Sequence, residues 1–582
     1  LASEDAFHAN HDLITKYRKS SRLLFAIKIK YQIDDIDSIA AEYLTDGTDD
    51  KKCDLIYVNS EEQYAIIAQS YESDKECNGE APSNKASDLN TAVGWALSAD
   101  IEKLPERIRP ASIALRDAIR NDQITRLIFW YVHNCSESAN VKKELTIVEK
   151  TAHSALKNHY PGKHVEVQSV EIGNNTLEEW YQALITPILV SEEIPIDIID
   201  GYELKGNDWS SYITAIPARS LYFLFQEHGA TLFSANIRDY LGSRNSDLNI
   251  NHNMKMTAEE DPNHFWIYNN GITALVNDYR EISEDGRKKI VISGISIVNG
   301  AQTTGSIGSL SHPPTVSAYV PTRFVKCSNE DVIRKIIQYN NSQNKIKASD
   351  FRSNDLIQKR LREEFSFIPD VEYQGGRRGS YLDIIRRPPN LIPSDAVAQA
   401  LASFHGNPTD AYNKKADLWE NDAKYSSIFT DQTTAKHIIF VYSLLRAIEG
   451  FKLKLRNYEA SSRGLREIEK EELAFLRERG AIFLLHSAIA HSIETIIDRP
   501  VPNKFRLSFE NLMSPARAID IWEPIVEATI PFYRSLSPAA KSSIQNREKV
   551  RECIGQFQSV IESTKTANDR IYREFLSNIQ IS

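Results

Sequence analysis

Three stretches of this 582-residue chain carry side chains that could do phosphodiester chemistry or hold its substrate. In the first, an acidic loop with Asp46, Asp49, Asp50 and Asp54 runs into an apolar segment, 53–59, and a second apolar segment, 64–71, ends Gln69-Ser70-Tyr71. The turn 59–63 between them makes the two segments a pair of neighbouring strands. A carboxylate at the start of one strand and a Glu or Gln on the next can converge on one hard cation, and such cations take oxygen ligands. A nearby ammonium would then orient the attacking water and stabilise charge on the phosphorus centre. Tyr71 stands two residues after Gln69, where that ammonium is expected; it donates a hydrogen bond but carries no charge near neutral pH. Lys85 is the better candidate to supply the charge from outside the strand pair, with Lys75 the poorer one, and Glu42 could add a third oxygen ligand.

The second stretch is rich in amides. Asn269-Asn270-Gly271 favours a tight left-handed turn, since Gly and Asn tolerate positive φ. Asn299-Gly300-Ala301-Gln302-Thr303-Thr304 follows an apolar strand and opens a helix, an arrangement whose backbone N–H groups suit an anion. GxxxxGK[ST] is absent, so this is no Walker loop. Asn269, Asn270, Asn299 and Gln302 could line a ligand or nucleic-acid pocket; equally, they could satisfy buried backbone at turns. A third stretch, 371–400, interleaves Arg377, Arg378, Arg386 and Arg387 with Tyr373 and Tyr381. Arginines and aromatic rings on one loop can hold phosphates and stack on bases, and Lys345 and Lys347 could join them. Salt bridges to the chain's surplus carboxylates are the alternative.

The elements that must position these residues alternate between helix and strand. Residues 11–45 read as helix, 53–59 and 64–71 as strands, 87–99 as helix with Ser87 as N-cap, 126–132 as a strand buried on both faces, 141–158 as helix and 164–172 as strand. That order is an α/β sandwich. Residues 177–205 read as a connector. From 210 onward come a helix at 217–228, an Asn-rich loop at 243–253 and strands near 264–268, 272–277, 289–298 and 319–326, with helices near 330–341 and 351–364. From 394 the pattern is mostly helical.

Composition narrows the class. The chain is 41% hydrophobic and 25% charged, ordinary for a globular protein. No apolar run reaches the ~18 residues of a membrane span. The polar beginning, LASEDAFHANHDLITKYRKS, is no signal peptide. A net charge of −10 argues against a wholly basic surface but leaves room for a local basic groove. The cysteines Cys53, Cys77, Cys135, Cys327 and Cys553 form no CxxC pair, so neither a zinc site nor a disulfide framework is suggested, and a cytoplasmic location fits. HExxH and GxSxG are both absent, which sets aside a zinc hydrolase and an α/β-hydrolase.

Two resemblances add to this reading. CDLIYVNSEEQYAIIAQSY resembles the PD-(D/E)xK nuclease motif, with Asp54 and Gln69 at the positions of its acidic and Glu/Gln residues and Tyr71 in place of its Lys. SANIRDYLG (234–242), FWIYNNGIT (265–273), SIVNGAQTTGSI (296–307), NNSQNKIKASD (340–350) and YQGGRRGSY (373–381) together resemble the abortive-infection phage-resistance (AIPR) family. The NGAQTT segment is also similar to the DGQHR signature of ParB/sulfiredoxin-like proteins, with Gln302 at its Gln and Thr303-Thr304 departing from its basic residue.

The resemblances imply an α/β multidomain protein. A restriction-endonuclease-like α/β sandwich would span 1–176, a connector 177–209, a central α/β AIPR domain 210–393 and a mostly α-helical region 394–582. They imply an antiphage role and cleavage of nucleic acid, DNA rather than RNA, with Mg²⁺ or Mn²⁺ held by Asp54, Gln69 and Glu42. Lys85 would replace the missing Lys, and Tyr71 would position water or phosphate. A homodimer suits two cuts on a duplex, and a product of the same defence operon could be a partner; a membrane is not expected. A sensor that binds without cutting, and a nucleotide-binding switch in the central domain, are the competing expectations.

Overall fold

The structure is a computed structural model that describes the chain except residues 48, 74–78, 186–187, 189, 237–255, 259, 285–286, 316, 330–331, 334, 338–351, 353–354, 374, 376–389 and 582. Its first unit is built on a four-stranded sheet of β1 (Leu55–Asn59), β2 (Tyr64–Tyr71), β3 (Arg126–His133) and β4 (Glu166–Ile172), in that order. β1 and β2 are antiparallel, while β2, β3 and β4 run parallel. Alternating residues feed two separate cores. Ile56, Ala65, Ile67, Phe129 and Tyr131 face the helices Arg109–Arg120 and Ala139–His159. Leu55, Tyr57, Ile66, Ile128 and Trp130 face Ser21–Tyr31 and Asn174–Ile185. A sheet covered on both faces needs strands apolar at every position, and β3 (RLIFWYVH) is such a strand.

Local chemistry sets the boundaries. Ser138 caps the long helix by accepting the Val141 N–H, so the helix begins two residues earlier than its periodicity suggests. The expected 11–45 helix is broken at Gln32, which is left-handed (φ 49°), and restarts at Ile36 with Asp35 as its cap. Ser87 ends a short helix, Ser83–Ser87, rather than capping a long one; Leu89–Val93 and a π turn, Gly94–Ser98, follow. Cys135 is disulfide-bonded, against the expectation of no disulfide. Cys53, Cys327 and Cys553 are free thiols, and Cys77 lies outside the described residues.

The second unit is a seven-stranded sheet. Its path is β5 (Val190–Ile198), β10 (Arg287–Asn299), β8 (Ile272–Val276), β11 (Tyr319–Cys327), β7 (Trp209–Pro217) and β6 (Gly201–Lys205), with β9 (Asp278–Glu284) also paired to β10. The stretch expected as a connector therefore supplies β5, β6 and the start of β7. Residues 264–268, expected as a strand, form instead a 3₁₀ turn and the short helix Phe265–Tyr268. Pro262 at the first helical position favours that start over a strand.

The third unit is helical, as expected from 394 onward. Its core extends from Leu361 to Ile579, so the helix Leu356–Phe365 and the small pairing of Glu372–Tyr373 with Leu391–Ile392 belong to it. Among the described residues no helix is long and apolar enough to cross a membrane.

Candidate active site

The β1–β2 register pairs Leu55 with Ala68, so one step further Asp54 stands opposite Gln69. Both, with Tyr71, lie on the side of the sheet covered by the helices from 83 onward. The loop before β1 delivers Asp54 there. The Thr45 and Asp46 N–H groups donate to the Asp54 carbonyl, and the Thr45 hydroxyl donates to Cys53 O at 2.5 Å. Asp49, Lys51 and Lys52 are all left-handed in this loop (φ 63°, 55° and 68°), a conformation that costs each of them roughly 1 kcal/mol. Lys51 lies over the Trp95 ring at 4.6 Å and Lys52 pairs with Asp88 at 3.3 Å, which ties the loop to the helices beneath.

The Asp54 carboxylate accepts from the Ser70 N–H (2.6 Å) and hydroxyl (2.9 Å). Its pKa is nonetheless pushed up to about 7. Burial is the main cause; the Ser70 hydrogen bonds oppose it, and the neighbouring carboxylates Asp50 and Asp46 add to it. Gln69 is 6% exposed, and its Oε1 is buried without a hydrogen-bond partner among the described residues. A buried acceptor left unpaired costs about 1–3 kcal/mol. A carboxyl held up mainly by burial, beside a buried amide oxygen, is what a hard cation would relieve, because it would favour the ionised carboxylate and pair the amide oxygen. Mg²⁺ keeps several waters and needs only one or two protein oxygens. The donor set of Asp54 and Gln69 fits it.

The remaining expected ligands lie as follows. Tyr71 neighbours Tyr131, whose phenol is pushed up by burial and then by Tyr71, Glu171 and Asp88. Lys85 lies 3.9 Å from Asp88, which also pairs with Lys52. Lys52 escaped the sequence reading, although it sits two residues before Asp54. Glu42 is not brought to this group. It is 7% exposed, pairs with Arg479 at 3.7 Å and accepts from the Gly480 N–H at 3.2 Å, and Arg479 Nη1 also donates to the Glu42 carbonyl. Asp46 is likewise engaged, bound by Arg456 and by the Ser20 hydroxyl (2.5 Å). Lys75 lies outside the described residues.

The two glycine turns of the central sheet pack against each other. Asn299 stands opposite Thr273 in the β10–β8 ladder. Gly271 is left-handed (φ 78°), and a Cβ there would lie 2.2 Å from Pro321 O; Gly300 (φ 91°) has the same limit against Ile272 at 2.6 Å. The Asn269 side-chain oxygen accepts from the Gly271 N–H (2.9 Å) and the Thr303 hydroxyl (3.2 Å), so this amide holds the turn together. Asn270 and Asn299 are exposed and Gln302 is half-buried at the start of the helix Ala301–Gly308. Exposed Trp266, Ile267 and Tyr268 lead into the turn. Of the third stretch, Tyr373 is buried, donating to Gln358 at 2.9 Å, so it stacks on no ligand. Arg377, Arg378, Arg386, Arg387, Tyr381, Lys345 and Lys347 lie outside the described residues.

Residues 233–514 match the family model described as AIPR protein. The match takes in β8 to β11 with both glycine turns and much of the helical unit, and it leaves the first sheet outside. No curated protein and no solved structure matches the chain.

Proposed function

We propose that the protein acts in abortive-infection defence against phage, and that its first sheet carries a Mg²⁺- or Mn²⁺-dependent phosphodiesterase site for nucleic acid, DNA in preference to RNA. The AIPR match supports the defence role. One observation carries the site: Asp54, its pKa pushed up to about 7, stands opposite Gln69, whose buried Oε1 has no partner among the described residues. Asp54 and Gln69 would hold the cation, which when bound would lower the pKa of a coordinated water and neutralise phosphate charge. Ser70 orients the Asp54 carboxylate. Tyr71 would donate a hydrogen bond to water or phosphate, and Lys85 or Lys52, both held at Asp88, would supply the positive charge that the strand lacks.

The test is incubation of the protein with linear and supercoiled DNA and with RNA, in Mg²⁺ or Mn²⁺, beside Asp54→Ala. The expected result is metal-dependent cleavage, reduced at least about 100-fold in the variant. Equal cleavage by the variant would overturn the assignment.

The second reading is a sensor that binds nucleic acid, a nucleotide or an operon partner without cutting. It is favoured by Tyr71 in the Lys position and by the use of Glu42 and Asp46 in contacts with the helical unit. Binding of DNA with no turnover in either metal would support it.

A further inference from the structure

β6 forms one end of the central sheet and pairs only with β7 among the described strands. The Gly206 N–H donates to Trp209 O at 2.8 Å, closing the hairpin between them. Because hydrogen-bonding direction alternates along an antiparallel strand, Tyr202 and Leu204 turn their backbone groups toward β7. Gly201, Glu203 and Lys205 turn theirs outward, where no described strand meets them. Such an edge is a template for another strand. On one face it exposes Tyr202 (58%) and Leu204 (50%), and on the other it carries Glu203 and Lys205, 2.8 Å apart.

We propose that β6 pairs antiparallel with β6 of a second copy of this chain, about a two-fold axis at Leu204, so that the two central sheets become one. In that register Glu203 of each copy stands opposite Lys205 of the other. These are residues whose backbone groups point outward, so each pair exchanges two N–H···O bonds. Leu204 meets its own copy on the apolar face. The alternative register, centred on Glu203, sets two Glu203 carboxylates opposite each other, which like charges disfavour. The strand is thus complementary to itself in charge, in apolar face and in hydrogen-bonding phase, as a two-fold interface requires. The inference stands whether or not Asp54 supports cleavage.

The test is the mass of the full-length protein by light scattering across a concentration series, for wild type, Glu203→Lys, Lys205→Glu and the double exchange E203K/K205E. A dimer is expected for wild type. Each single exchange, placing like charges opposite one another twice, weakens dimerisation by about tenfold or more, and the double exchange restores it. In Leu204→Cys, mild oxidation links two copies, while Glu203→Cys links them poorly. Circular dichroism confirms that each variant is folded. A monomer at tens of micromolar, or a dimer that ignores both single exchanges, overturns the proposal.

Discussion

The first sheet and the central sheet use charge in opposite ways. In the central unit the ion pairs lie on exposed strands: Glu193–Arg280 (2.6 Å), Asp200–Lys288 (2.7 Å) and Asp278–Lys326 (2.8 Å). Exposed pairs of this kind contribute little, because water screens them and long side chains lose freedom in making them. In the first unit exposed pairs occur too, but a second set of charges is buried or half-buried against the helical unit. Arg446 reaches Asp35 (2.8 Å) and Glu449 (2.5 Å) and donates to the Ser38 hydroxyl, while Arg479, Arg456 and Arg107 engage Glu42, Asp46 and Glu459. The difference teaches where the helical unit can act. It is fastened to the loop that carries the candidate site, through Arg456 and Asp46.

Breaking the buried side of this comparison gives the largest effect. Arg446→Ala leaves Asp35 and Glu449 buried without their cation. The expected loss is about 3–5 kcal/mol, measured by urea denaturation.

The glycine turns come next. Gly271→Ala adds a Cβ against Pro321 O at a left-handed position. A loss of about 2 kcal/mol is expected from the backbone conformation and the clash together. A change below measurement error would show that the turn can relax.

Asp54→Asn acts in the other direction. A carboxyl whose folded pKa is about 7, against an ordinary value near 4, binds more protons folded than unfolded between those pH values. Its favourable contribution is complete below pH 4, falls as pH rises toward 7, and stays lost above that. The variant, which can still accept from Ser70, should therefore exceed wild type in stability by roughly 4 kcal/mol at pH 8, about 1.4 kcal/mol for each unit of the difference. The gain should vanish near pH 4; a gain independent of pH would contradict the burial argument.

The smallest effect sharpens the exposed side. Arg280→Ala should leave Tm unchanged within error in ordinary salt.

What could be read from the sequence follows the same division. The strand pair that sets Asp54 opposite Gln69 was legible, because apolar segments joined by a short turn leave one simple register. β3 was legible from its unbroken apolar run. β5 was not: VSEEIPIDI carries Pro195 and three acidic residues, a pattern tolerated because β5 lies at an end of the sheet path. β6 is short and exposed for a related reason, since it has a neighbour on one side only among the described strands. β9 was missed although Asp285-Gly286 between two alternating runs is a hairpin signal. The aromatic run FWIY favours a strand by propensity, and the Pro262 start outweighed it. The fate of Glu42 could not be read at all, because its partner Arg479 is 437 residues away in the sequence and only the fold brings them together.

The measurement that tests the central claim most directly is calorimetric titration of Mn²⁺ into the protein at pH 8, repeated on Asp54→Asn and Gln69→Leu. The account predicts a saturable site in wild type, loss of binding in Asp54→Asn and binding weakened about tenfold in Gln69→Leu, with proton release on binding near pH 7 as Asp54 ionises. Absence of a site in wild type, or equal binding by both variants, would contradict it.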